Sequence, residues 1–321
     1  MMKIQRLFLA FITITAIGFL YEKYKKKYEP DEETQNFSLV KKHLLKNVKN
    51  GKTNIWVHTD YNVNARNWAS FNSRNTKNLN QPYLKMCIDS MIKWSGNSCN
   101  ICLINDNTFS RLLDNWVINL DKLPEPLKTR TRYLGLLRLI KKYGGVVMPN
   151  SFLMLRDFKE YHEKYLGGKD CYVGEFLTRN KHGSEKPFFP NIRLIGCKKD
   201  SKVIKRMCDN LEADLSIDTT ADIDFEDKIN KYLYEYVTKG AMNMIPANML
   251  GCKNVRGEQV LLDHLMQETK IDFDKNMIGL YIPKDELLKR INFKWFTRLN
   301  KIQIITSKTA IGQIFSLCFS N

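Results

Sequence analysis

Acid, histidine and proline are all scarce in this 321-residue sequence, which has 34 Asp plus Glu against 51 Lys plus Arg, five His and nine Pro. So few Pro, with 16 Gly, leave no collagen-like repeat, and 43% apolar residues exclude a chain that is disordered throughout. No internal repeat or low-complexity tract is present, and no heptad rod describes the chain. The eight cysteines lack the framework of a small secreted domain; they sit in apolar runs and read as reduced core thiols. Cys99 and Cys102 have the spacing of a zinc half-site, yet no second pair and no His-x-x-x-His completes four ligands. The stretch NSCNICLIND fits a buried strand instead, so no metal site is expected there.

The shortage of acid leaves a formal charge of +17, which draws nucleic acid, anionic lipid and nucleotide diphosphates alike. The excess is spread along the chain, and a compositional bias toward Lys, Asn and Ile accounts for it equally well. No helix-turn-helix, zinc module or aromatic-basic repeat accompanies the charge, so nucleic acid is not the expected partner.

The long uncharged run lies at the start, Leu7 to Leu20. Counted from residue 4 to 21 it approaches the ~17 residues that cross a bilayer. No small-x-small cleavage site follows, so the expectation is one transmembrane helix in contact with membrane lipid, not a removable signal. Lys3 and Arg6 precede it and Lys23, Lys25, Lys26 and Lys27 follow, which places the body on the cytosolic side. The expected organisation is an anchor over 1–22, a stem over 23–51 with a short helix from Ser38 to Val48, an α/β domain over 52–300, and a tail over 301–321. The sequon Asn36-Phe37-Ser38 matters only if the body is lumenal.

Within the body, Asn54 to His58 is an apolar run that stops at Thr59-Asp60, the pattern of a buried parallel strand. Pro82 opens a helix to Trp94 with Leu84, Cys87, Ile88 and Met91 on one face. Ile101 to Ile104 is a second buried strand ending in Asn105-Asp106, so the three elements form a βαβ unit. A further helix starts near Pro126, carries Lys141 and Lys142 in its last turn, and closes at Gly144-Gly145 before the strand Val146-Val147-Met148. Pro149-Asn150-Ser151 then falls past a strand's carboxyl end, the edge where open α/β sheets bind ligands. Strands are expected at Cys171–Val173 and Ile192–Ile195, and helices at Ser201–Leu211, Phe225–Thr238 and Gln259–Thr269. The tail from Ile302 to Phe319 has helical spacing in its second part, which suits either a partner or membrane helix or a helix packed on its own domain.

The helix, Tyr143-Gly144-Gly145 and the apolar strand after it resemble the glycosyltransferases whose sugar-binding region carries a DXD motif, the GT-A type of family 32 and the capsular polysaccharide transferases. NARNWASFNSRN, LNQPYL and GLYIPKDELLKRINFKWF look like a divergent branch encoded by large DNA viruses. The resemblance implies a GT-A-like, Rossmann-type, mostly parallel sheet flanked by helices, and a nucleotide-sugar substrate; the family's usual lumenal body is opposed by the Lys count, which favours the cytosol or virion interior. It also implies two carboxylates holding Mn²⁺ or Mg²⁺, but the corresponding positions are Pro149 and Ser151, with Asn150 between them. Tyr133 and Leu136 likewise stand where the family has Asp and Arg. Pro offers no ligand and neutral oxygens supply no charge, so no metal cofactor is expected.

Two readings follow. In one, sugar transfer persists without metal: Arg132 and Arg138, with Arg130, neutralise the diphosphate. Asn150, Ser151 and Asn191 then line the substrate, and His58, Asp60 or Asp106 supplies a base. In the other the chemistry is lost and the protein is a membrane-associated scaffold with viral structural proteins as partners, using the aromatics of Lys186-Pro187-Phe188-Phe189-Pro190 and the tail as contact surfaces.

Overall fold

The structure, a computed structural model, describes residues 51–59, 81–176, 187–217 and 225–319. The expected anchor, nearly all of the stem with its helix, and Asp60 lie outside the described residues. No helix among the described residues is long and apolar enough to cross a membrane.

Strand β1 (Thr53–His58) buries Ile55, Trp56 and Val57. Helix α1 (Pro82–Ser95) starts on Pro82, whose missing N–H costs nothing in a first turn, and buries Tyr83, Met86, Cys87 and Met91. Strand β2 (Cys99–Ile104) is buried along its whole length and pairs in parallel with β1, completing the βαβ unit. Helix α2 (Leu127–Tyr143) presents Leu134, Leu137 and Ile140 to the core and ends at Gly144. The next residue, Gly145, opens strand β3 (Gly145–Met148) at φ +99°. A Cβ there would lie 2.1 Å from the Asn54 carbonyl oxygen, so only glycine lets β3 come this close to β1.

Strands β4 (Phe152–Met154), β5 (Cys171–Glu175) and β6 (Pro190–Cys197) follow, with helix α3 (Lys159–Leu166) between β4 and β5. Helix α4 (Lys202–Ser216) is capped by Ser201, whose Oγ accepts from the Ile204 N–H. Helix α5 (Phe225–Thr238), β7 (Asn243–Ile245), β8 (Gly279–Tyr281), α6 (Lys284–Lys289), α7 (Lys301–Ile305) and α8 (Ala310–Phe319) complete the described chain.

The architecture is mixed α/β: a six-stranded, mostly parallel sheet in the order β2-β1-β3-β6-β5-β7, flanked by helices. The strand β6 runs antiparallel to both neighbours; the other three pairings are parallel. A separate antiparallel ribbon, β4 with β8, pairs Phe152 with Tyr281 and Met154 with Gly279. Leu153 and Leu280 of this ribbon join Tyr83 and Cys87 of α1 in a second core, which also takes Ile304, Ile311, Phe315 and Cys318. The two helices of the tail are therefore packed on their own domain, because their apolar stripe has this core to fill.

One expectation changes. The helix expected over Gln259–Thr269 is reduced to a turn at Leu262–Leu265. Gln259 is held in a bridge with Lys253, and the Val260 N–H donates to the Cys252 carbonyl, so the backbone bonds a helix would need are used in a hairpin-like loop. The Cys99 and Cys102 pair lies on β2, where a separation of three residues sends side chains to opposite faces and leaves no common ligand point. All eight cysteines are buried free thiols; burial pushes Cys99 up to about 11 and Cys102 up to about 12.

Candidate functional site

Strand directions collect the polar residues. Because β1, β2, β3, β5 and β7 run one way and β6 the other, the carboxyl ends of five strands and the amino end of β6 share one edge. His58, Asp106, Pro149 to Ser151, Glu175, Asn191 and Ala247 all fall at that edge. This is the position at which open α/β sheets take ligands.

At the β1 and β2 ends, three residues expected separately from the sequence meet. His58 Nε2 lies 2.8 Å from Asp106 Oδ1. Arg132, on α2, donates from Nε and Nη2 to the two Asp106 oxygens at 2.7 Å each, a bidentate fork. Lys128 stands 3.6 Å from the same carboxylate. The His58 ring stacks on Phe109 with centroids 6.2 Å apart. Burial pushes the Asp106 carboxyl up, but the hydrogen bonds from Arg132 and His58 outweigh it and hold the group well below the usual carboxylate range. An ionised carboxylate shared by the His58 ring and the cations of Arg132 and Lys128 orients the ring and the Arg132 fork; it is a poor proton acceptor itself.

At the β3 end, the donor set does not fit a divalent cation. Ser151 Oγ donates to the Ile282 carbonyl at 2.7 Å, and the Ile282 N–H donates back to the Ser151 carbonyl. These bonds staple the turn to the residue after β8. The Phe152 N–H closes the turn on the Pro149 carbonyl. Asn150 is buried in the same turn. One ring without a donor atom, one neutral amide and one hydroxyl already committed to a backbone oxygen do not make a site for a hard cation. Among the described residues no group of three His, Cys, Asp or Glu side chains is placed to hold a metal ion.

A cation is tied to the ribbon residue that precedes Ile282, the partner of Ser151. Arg193 donates from Nη1 to the Tyr281 hydroxyl at 2.8 Å, and its Nη2 lies 3.2 Å from Asp285 Oδ2. Tyr281 in turn stacks on Phe176, just past β5, with centroids 4.1 Å apart and planes 11° from parallel. Burial raises the Tyr281 hydroxyl above its ordinary range, although Arg193 opposes this, so the group stays a neutral hydrogen-bond partner. Beside it, the buried Glu175 accepts from Lys253 Nζ at 2.9 Å and from the Ala247 N–H at 2.9 Å, fixing the loop after β7 to the β5 end.

The edge therefore brings together His58, Asp106, Arg132, Asn150, Ser151 and Asn191. Asn191 is committed locally, since its Oδ1 accepts from the Arg193 N–H. Arg138 is not part of the group. Six positions along a helix turn it about 120° from Arg132, and its guanidinium bonds Glu212 of α4 at 2.8 and 3.0 Å while lying over the Trp116 ring. Arg130 is buried on α2 and has contacts of its own. Sequence reasoning missed Arg193, Tyr281, Glu175 and Lys253. Arg193 had left one signal, a lone cation inside the apolar stretch Ile192-Arg193-Leu194-Ile195.

The chain matches no protein-family profile and no curated protein sequence. Among solved structures it is similar to PaToxG glycosyltransferase, at 14% identity and a TM-score of 0.36 over 58% of this chain and 70% of that one.

Proposed function

We propose that this chain is a glycosyltransferase-like protein that takes a nucleotide sugar at the carboxyl edge of its sheet and neutralises the diphosphate with fixed cationic side chains instead of a metal. The observation that carries the reading is Arg193 bonded to Tyr281, the residue before the Ile282 that holds Ser151, which ties a permanent positive charge to the segment where the related pattern holds a cation between carboxylates. Arg and phosphate suit each other because the planar fork meets two oxygens at once. A pre-set charge lowers the barrier as the leaving diphosphate gains negative charge. Within the same reading His58, oriented by Asp106, is the group that accepts a proton from the acceptor hydroxyl. Attachment to a membrane through residues 4–21, with the body in the cytosol or virion interior, belongs to this proposal.

A second reading, a scaffold that has lost the chemistry, is favoured by a different observation. The Ser151 hydroxyl, the Asn191 amide and the Asp106 carboxylate are all consumed by internal bonds. Titration calorimetry of the full chain with nucleoside diphosphates and nucleotide sugars separates the two. The transferase reading expects binding that survives EDTA and weakens at least tenfold in Arg193→Gln. No heat with any of these ligands, with or without Mn²⁺, eliminates it and leaves the scaffold.

A further inference from the structure

We infer that the segment from Leu288 to Ile302 is a surface of the folded domain that lies against a bilayer and takes anionic lipid headgroups. This inference is independent of any sugar chemistry. The inner side of the segment is fixed by Leu287, Phe296 and Ile304, all buried, with Phe296 against Tyr83 at 5.7 Å and Phe315 at 6.4 Å. With those side chains pointing in, their neighbours point out. Ile291 is 83% exposed, Ile302 73% and Trp295 42%. Interleaved with them stand Lys289, Lys294, Arg298 and Lys301, all exposed, and no Asp or Glu occurs between Leu287 and Ile302.

Each component has a physical reason at a lipid interface. Aliphatic side chains left in water gain by entering the acyl boundary, and a tryptophan is favoured at headgroup depth. Lys and Arg lay their stems on apolar surface while their charges reach lipid phosphates. One of these cations is tied to an aromatic ring. Lys301 Nζ lies 5.3 Å from the Phe319 ring centroid, which brings the end of α8 to the same surface. Arg290 has a different task. It is bound to Asp263 and Glu286 and lies over Phe293, which fixes the backbone from which the outward groups project.

Other occupants fit less well. A two-fold dimer through this surface would set the same cations against their own copies. Nucleic acid would satisfy the charge but leave Ile291 and Ile302 in water, since phosphates offer aliphatic groups nothing.

The test uses the full chain reconstituted with vesicles of phosphatidylcholine alone or of equimolar phosphatidylcholine and phosphatidylserine, each with brominated acyl chains that quench nearby tryptophan. The readout is the difference in quenching between the unaltered chain and Trp295→Phe, which isolates this residue from the other four tryptophans and from any contact made elsewhere in the chain. The difference is expected to be present on the anionic vesicles, small on the neutral ones, and to fall with salt. In Lys294→Gln and in Arg298→Gln the ratio of docked to undocked domain should drop about fivefold per charge removed, and Ile291→Asn should reduce it as well. Equal quenching with and without Trp295, or a difference of the same size on both vesicles, overturns the inference. So does Trp295 quenching absent on lipid while duplex DNA protects Lys294 and Arg298 from modification.

Discussion

Arg193 and Tyr281 are joined by a 2.8 Å hydrogen bond that ties the six-stranded sheet to the β4–β8 ribbon. One partner belongs to β6 and the other to a strand more than eighty residues later, so the bond fixes how the turn at Pro149 to Ser151 sits over the sheet edge. Tyr281→Phe keeps the ring stacked on Phe176 and removes only the hydroxyl. It is expected to leave stability within about 1 kcal/mol and to change nucleoside diphosphate affinity less than Arg193→Gln does, as calorimetry on the two variants would measure. Equal losses in both would mean that Arg193 positions the turn and does not touch ligand.

Asp106→Asn should be among the more damaging polar substitutions in the chain. It leaves the Arg132 guanidinium, largely buried, without its counter-charge, a loss of about 3 kcal/mol by urea unfolding. The pH dependence has a definite sign. The folded pKa of Asp106 lies below its unfolded value, so its contribution is complete above the ordinary carboxylate range and is lost as pH falls through that lower value. The Asn variant should therefore lose part of the acid sensitivity of the unaltered protein.

His162 gives a second case of the same sign in a higher pH window. It is buried against the Tyr172 hydroxyl, 2.7 Å from its Nδ1, and burial pushes it down to about 4. The unfolded chain takes up this proton at about pH 6.5 and the folded one does not. Stability should therefore fall as pH drops from about 6.5 to about 4, by an amount on the order of 3 kcal/mol from this group. Urea melts at pH 7 and pH 5 would show the slope, and it should be absent in His162→Gln.

Gly145→Ala is expected to cost roughly 3 kcal/mol or more in thermal or urea unfolding, because it combines a positive φ with a Cβ pressed onto the Asn54 carbonyl. Arg138→Gln is the contrasting control on the same helix. Its ion pair with Glu212 is partly exposed, so a change within about 1 kcal/mol is expected, together with unchanged diphosphate affinity.

Much of the sheet was legible because its strands are short apolar runs that stop abruptly at polar residues, as Val57-His58 and Ile104-Asn105 do. The α2 to β3 junction was legible for a different reason: two glycines in a row after a lysine-rich last turn have few other uses. His58, Asp106 and Arg132 could each be named, but their meeting could not, since it depends on β1 lying beside β2 and on α2 crossing both ends. Arg193 was hidden more deeply. Its bond to Tyr281 follows from how β6 meets the β4–β8 ribbon, which leaves no local mark in sequence. The helix expected after Gln259 failed because an apolar period says nothing about a hairpin-like bridge that captures the same backbone groups.

Pro149 carries one more implication. It has no N–H with which to continue the ladder, and the pairing of β3 with β6 ends at Val147 and Ile195. The proline thus acts as a stop on a zipper at the centre of the sheet, beyond which the halves β2-β1-β3 and β6-β5-β7 have no rung to hold them together. Past that stop the turn is held from the other side, by the Ser151 bonds to Ile282, so its position answers to the β4–β8 ribbon more than to β6.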